Sequence, residues 1–206
     1  MEFNLADLFE HAVDNFGDRE YLVVDGQRRT YAELEARANR LAHHLASQGI
    51  GAGDHVGIYA YNSVEWVETL WAVFKLRAVW VNINYRYVED ELRYLVGNAD
   101  LKAIVFQREF APRVAAVRPD LPDLRHAVVI EDGSGADIEG TDAVHYEEVL
   151  VTSSAVRDFE PRSGDDIYIL YTGGTTGMPT VTSVTAQSVR FDISRGPSSS
   201  SMIATT

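Results

Sequence analysis

The sequence predicts an α/β domain: a largely parallel sheet flanked by helices. Three observations carry this. Helical patterns and short apolar strand patterns alternate along most of the chain. The strand patterns, such as "HVGIYA", "KAIVF" and "HAVVI", are short buried-type runs. The last such run, "DDIYILY", leads straight into a glycine-rich stretch, "YTGGTTGMPT", residues 171–180.

The elements follow in order. Leu5, Leu8, Phe9, Ala12, Val13 and Phe16 recur at helical spacing, with Asn4 able to cap the helix and Gly17 to end it. "EYLVVDGQRRTY" reads as two short strands around an Asp25-Gly26 turn. Thr30 and Glu33 form a capping-box pattern before a helix with Leu34, Ala38, Leu41 and Leu45 inward, stopped near Gly49. After the strand "HVGIYA", Asn62 and Glu65 have capping-box spacing before the helix "VEWVETLWAVFKLRA". "VWVNI" is a strand, "EDELRYLVGNA" a helix, "KAIVF" a strand, "REFAPRVAAV" a short helix and "HAVVI" a strand. Residues 131–139 are a Gly/Asp/Ser-rich loop, and "HYEEVLV" is a short helix. Composition changes near Thr180. Residues 180–206 are rich in Ser and Thr, lack sustained periodicity, and are expected to be a disordered tail, set apart from a 1–179 domain.

Composition narrows the function. The chain has 206 residues, 46% of them hydrophobic and 24% charged, in the globular range. A net charge of −13 disfavours nucleic acid and anionic membrane, which need a positive field. It leaves open a small polyanion held by backbone N–H groups. No run approaches the ~20 apolar residues of a transmembrane helix, and the acidic start is unlike a signal peptide. With no cysteine, disulfides and thiolate metal sites are excluded. The cytoplasm is the expected location.

The glycine stretch carries the chemistry. Gly173, Gly174 and Gly177 can take positive φ and let a ligand approach the backbone. Successive N–H groups can form an anion nest, and the hydroxyls of Thr172, Thr175 and Thr176 add orientable donors. No Gly-Lys-Ser/Thr follows at Walker A spacing. The alternative is a plain Gly/Thr turn after a buried strand.

The string "YTGGTTGMP" closely resembles the loop of the adenylate-forming superfamily, which includes acyl-CoA synthetases. The stretch from "TYAELEARANRLAHHL" through "NINYRYVEDELRYLVGNADLKAIVF" resembles the N-terminal part of these enzymes in order and spacing. "NINYRYVEDELRYL" is most similar to acyl-CoA synthetases, particularly actinobacterial ones for fatty or sterol-side-chain acids. The likeness covers roughly residues 5–179. It implies ATP-dependent ligation of a fatty or related carboxylic acid to coenzyme A through an acyl-adenylate. Thr172, Gly173, Gly174, Thr175, Thr176 and Gly177 would hold the nucleotide phosphates, and Thr172 would contact Mg²⁺.

The sequence also departs from the family. Thr180 and Val181 stand where the loop is followed by Lys-Gly. The regions that in the family supply adenine and ribose contacts, a magnesium-binding glutamate, most of the acyl pocket and a mobile lysine-bearing domain have no counterpart here. A truncated or frameshifted N-terminal portion is the expectation. It would be catalytically incompetent alone, with no catalytic residue of its own and unpaired edges inviting self-association. A non-catalytic nucleotide-binding module and a ligand-free structural remnant are the alternatives.

Other features read as structure. "GAGDHVG" lies between helix and strand, the reverse of a dinucleotide-binding loop. The six histidines lack metal-ligand spacing and read as surface or packing residues. Trp66, Trp71, Phe74 and Trp80 read as core, with acyl-pocket lining as the alternative. Asn82, Asn84 and Arg86 follow a strand end, where α/β folds place ligands; Arg86 would face a phosphate or make a structural salt bridge.

Overall fold

The computed structural model describes residues 4–172 and 180–185. The chain opens with α1 (Leu5–Phe16), the hairpin β1 (Glu20–Val24) and β2 (Gln27–Thr30), and α2 (Tyr31–Ser47). Then come β3 (His55–Tyr59), α3 (Val64–Lys75), β4 (Val79–Asn82), α4 (Glu89–Asn98), β5 (Leu101–Gln107) and α5 (Ala111–Val117). The rest is β6 (His126–Ile130), β7 (Ala143–His145), α6 (Tyr146–Thr152), β8 (Ile167–Thr172) and β9 (Thr180–Thr185).

The Thr30–Glu33 capping box forms as the sequence predicts, and Asn4 caps α1 as expected, within a second box with Asp7. Asn4 Oδ1 accepts from Ala6 N at 2.8 Å while Asp7 bonds back to Asn4 N. Thr30 Oγ1 accepts from Glu33 N at 3.2 Å while Glu33 bonds back to Thr30 N. Asp25 and Gly26 take positive φ in the hairpin turn, and Gly49 ends α2 at φ +77°. The cap of α3 is Ser63, whose hydroxyl accepts from Trp66 N; the Asn62–Glu65 spacing is one residue out of step. In α1 the buried side is Ala6, Phe9, Glu10 and Val13, while Leu8 and Phe16 stay exposed. The helix turns inward a carboxylate that has buried cations to meet.

One sheet runs β7-β6-β5-β3-β4-β8-β9. Its first six strands are parallel, and β9 closes the edge antiparallel to β8. Val56, Ile58, Trp80, Val105 and Val128 face one side and pack with α1, α2, α3 and α6. Tyr59, Val81, Ile104, Phe106 and Ile169 face the other and pack with α4 and α5. Leu34, Ala38, Leu41 and Leu45 are all fully buried, as their spacing predicts.

The stretch expected to be an irregular tail differs at its start. Thr180–Thr185 pairs with β8 from Thr172↔Thr180 to Ile167↔Thr185. The run "TVTSVT" is rich in β-branched residues, which suit an extended ladder. Residues 186–206 lie outside the described residues.

Between α6 and β8 the chain lacks regular structure, yet it is fastened along its length. Arg40 donates to the carbonyls of Leu150 and Ser153, Asn39 to that of Ala155. His43 lies 2.9 Å from the Val156 carbonyl. Arg157 pairs with Glu35 at 2.7 Å and Asp14 at 2.9 Å; Arg162 pairs with Asp7 and Glu10, both at 2.7 Å. This strap delivers the chain from one end of the sheet to the entry of β8 near the other.

Candidate functional site

Parallel strands bring their carboxyl ends to one edge of a sheet, and α/β folds bind ligands there. Here β3 connects through α3 on one face and neighbouring β5 through α5 on the opposite face, so the connections diverge between β3 and β5. The two strand ends are bridged by Gln107, whose Oε1 accepts from Tyr61 N at 2.8 Å.

The turn after β4 is tightly held. Asn84 Oδ1 accepts from Arg86 N at 3.0 Å, and Tyr87 N donates to the Asn84 carbonyl at 2.9 Å. Arg113 of α5 donates to the Tyr85 carbonyl (3.2 Å), the Tyr87 carbonyl (3.0 Å) and the Tyr59 hydroxyl (2.8 Å). The Tyr59 hydroxyl donates in turn to the Tyr87 carbonyl. Burial pushes the Tyr59 phenol up, keeping it a neutral donor. Tyr61, Tyr85 and Phe110 form an aromatic group beside it, with Tyr61 and Tyr85 exposed. Arg86 stacks on Tyr85 at 5.5 Å and has no carboxylate partner among the described residues. Arg113 and Tyr59 are 54 residues apart, so no sequence spacing signals their partnership.

β8 lies beside β4, with Asn82 opposite Leu170. Thr172 is the last residue of β8 and is paired with Thr180, the first of β9. That pairing holds side by side the two ends of the seven-residue connection, 173–179. Gly173, Gly174, Thr175, Thr176 and Gly177 lie outside the described residues. Thr172 is thus placed at the carboxyl edge beside the β4 turn.

The aromatic residues read as core divide in two. Phe74 and Trp80 are buried; Trp66 and Trp71 are partly buried against them. Trp66 meets Trp80 edge-on at 5.0 Å, and Trp71 stacks on Phe9 at 4.4 Å.

Among the described residues no group of three or more His, Asp or Glu could hold a metal ion. Two histidines do meet. His44 Nε2 and His126 Nε2 are 2.8 Å apart, at the distance of one neutral imidazole donating to another. Burial first, then the neighbouring His44 and Arg118, lower the His126 pKa to about 4; burial also lowers that of His44. Between about pH 6.5 and 4 the unfolded chain takes up a proton that the folded chain refuses. Stability therefore falls as pH drops through this window. His126→Gln should reduce the melting-temperature loss between pH 7 and 4.5 by about 2–4 °C, on the order of 1 kcal/mol after allowing for solvent screening. An unchanged pH slope in thermal melts would refute this.

Among the described residues no helix is long and apolar enough to cross a membrane.

The family described as "AMP-binding enzyme" matches residues 9–195. The 3-oxocholest-4-en-26-oate–CoA ligase of Rhodococcus rhodochrous is 52% identical over 179 residues, covering 87% of this chain and 32% of that protein. The medium/long-chain-fatty-acid–CoA/3-oxocholest-4-en-26-oate–CoA ligase of Mycobacterium marinum is 48% identical over 183 residues, covering 87% of this chain and 33% of that protein. The crystal structure of an anthranilate CoA ligase in complex with anthranoyl-AMP superposes with a TM-score of 0.82 at 24% identity, over 91% of this chain and 35% of that one. This last likeness concerns the fold alone. The chain spans about a third of the length of the curated relatives it matches.

Proposed function

We propose, since the chain belongs to the AMP-binding enzyme family, that Thr172, Gly173, Gly174, Thr175, Thr176 and Gly177 hold the phosphates of ATP. The observation that carries this is the placement of Thr172: it leaves β8 at the carboxyl edge and is tied to Thr180, so the loop's ends are fixed there. Peptide N–H groups and threonine hydroxyls suit phosphate inside an acidic chain. No carboxylate cluster among the described residues suits a free metal ion. Mg²⁺ fits as a companion of the nucleotide, where it would neutralise phosphate charge, with the Thr172 hydroxyl as a protein ligand.

The reaction class proposed is acid–thiol ligation. A carboxylate oxygen of a fatty or related acid attacks the α-phosphorus of ATP, and the bond to pyrophosphate breaks. The coenzyme A sulfur then attacks the acyl carbonyl, its proton is lost, and AMP leaves. The sterol-acid and fatty-acid ligases among the relatives favour a hydrophobic carboxylic acid. Alone, this chain is proposed to bind nucleotide without completing acyl-CoA formation, in the cytoplasm, and to self-associate through its sheet edges.

Equilibrium binding of MgATP to the purified chain tests the reading. Saturable binding is expected, weakened about tenfold by Thr172→Ala, as loss of a charge-assisted hydrogen bond implies, and at least as much by Gly174→Val, whose side chain would obstruct the backbone's approach to phosphate. No saturable binding, or binding indifferent to both changes, refutes it and favours the structural-remnant alternative. Acyl-CoA formation by the chain alone would refute the incompetence.

A further inference from the structure

The hold on β8 is unusual in kind. Its ladder to β4 is three residue pairs long, Trp80↔Tyr168 to Asn82↔Leu170. Ile167 and Tyr168 are only partly buried, against opposite faces of the sheet, and Ile169 is the buried residue of the three. Register is well specified where apolar side chains are buried and weakly specified where they are not. A one-residue slip would carry the end of β8 about 3.3 Å along the strand.

Asp166, the residue before β8, supplies what the apolar contacts lack. Its carboxylate accepts from Asn4 Nδ2 (2.8 Å), Arg77 Nε (3.1 Å) and Ser163 N (3.2 Å). Asn4 is buried, caps α1 through Oδ1, and also donates to the Phe74 carbonyl. Arg77 lies between α3 and β4 with φ +58°, a left-handed conformation that glycine adopts without penalty. Backbone strain at a non-glycine residue points to a use for its side chain. Here the guanidinium crosses from the start of β4 to the start of β8.

We propose that Asp166, gripped by Arg77 and Asn4, is the positioning residue that sets β8 against β4 and so places the phosphate loop. The proposal rests on the phosphate-loop reading above. Native-state hydrogen exchange of the whole chain tests it, comparing the Tyr168–Leu170 amides with those of β3 and β5. Arg77→Gly removes the guanidinium while relieving the left-handed residue, so the melting temperature should hold. Exchange in β8 should rise at least tenfold relative to β3 and β5, and Asp166→Asn should behave alike. If Asp166→Asn does not fold, Arg77→Gly decides. Unchanged β8 protection in a folded variant, or a uniform loss across the sheet, overturns the proposal. MgATP binding is measured in parallel. Affinity at least tenfold weaker in Arg77→Gly supports the link to the loop. Unchanged affinity with β8 deprotected overturns that link. Absence of binding by the parent chain refutes the phosphate-loop reading, while exchange at β8 still decides the anchor.

Discussion

Lys75→Met is expected to lower stability by about 3 kcal/mol, the low end for breaking a buried charge pair. Lys75 is 1% exposed, and its ammonium donates to Glu10 and to Glu35 (3.0 Å) and lies 5.6 Å from the Phe159 ring. Methionine keeps most of the volume, so the loss isolates the charge. The cost stays at the low end because each carboxylate keeps a guanidinium: Arg162 on Glu10 and Arg157 on Glu35. Burial works against ionised Glu10, but Arg162 and Lys75 outweigh it and hold its pKa below the ordinary carboxylate value. Ionised Glu10 thus adds stability above that ordinary value, lost as pH falls through the depressed one. The variant should lose part of this pH dependence. A drop of about 6–12 °C in melting temperature is the readout. A loss under about 1 kcal/mol, the scale of an exposed pair such as Arg28–Glu20, would mean the two arginines suffice alone.

Gly57→Val should cost about 3 kcal/mol or more through overpacking. Gly57 sits in central β3, paired with Val81 of β4 and Ile104 of β5. A Cβ there would lie 2.6 Å from Leu101 Cδ1 and 2.9 Å from Ile83 Cδ1. Both are ends of side chains, but both residues are 1% exposed and have little room to withdraw. Gly57→Ala should be milder, and the double variant with Leu101→Ala should lose less than the two single losses added together. If the double variant is as unstable as the sum of the singles, the contact is not the cause.

What could be read from the sequence was what lies close along it. The Thr30–Glu33 box needs only an i, i+3 pair, and the inward face of α2 only helical spacing. β7 was missed because three residues, Ala143–His145, carry no pattern; they become a strand through pairing with β6. The exposed Leu8 and buried Glu10 in α1 invert the apolar rule, because Lys75 and Arg162 arrive from 65 and 152 residues away. Arg113 and Tyr59 were invisible for the same reason. For the candidate loop, the sequence named Thr172 and its followers by residue type and resemblance. The fold adds the place where Thr172 emerges and the neighbours that steady it.

The strap before β8 imposes an order of events on a chain made from its N-terminus. Asn4 and Asp166 are 162 residues apart, and Asp7 and Arg162 are 155 apart. At roughly 5–20 residues per second, α1 leaves the ribosome on the order of ten to thirty seconds before Arg162 and Asp166 exist. Until then the carboxylates of Asp7 and Glu10 have no Arg162 to meet. The first helix synthesised is thus among the last to be locked, and the β4–β8 ladder closes in that same late step. Such distant pairings also carry the loop-closure entropy that makes folding slow. A nascent chain halted shortly before Arg157 would lack the Arg157, Arg162 and Asp166 fastenings, leaving α1 held by contacts such as those with Trp71, Phe74 and Lys75.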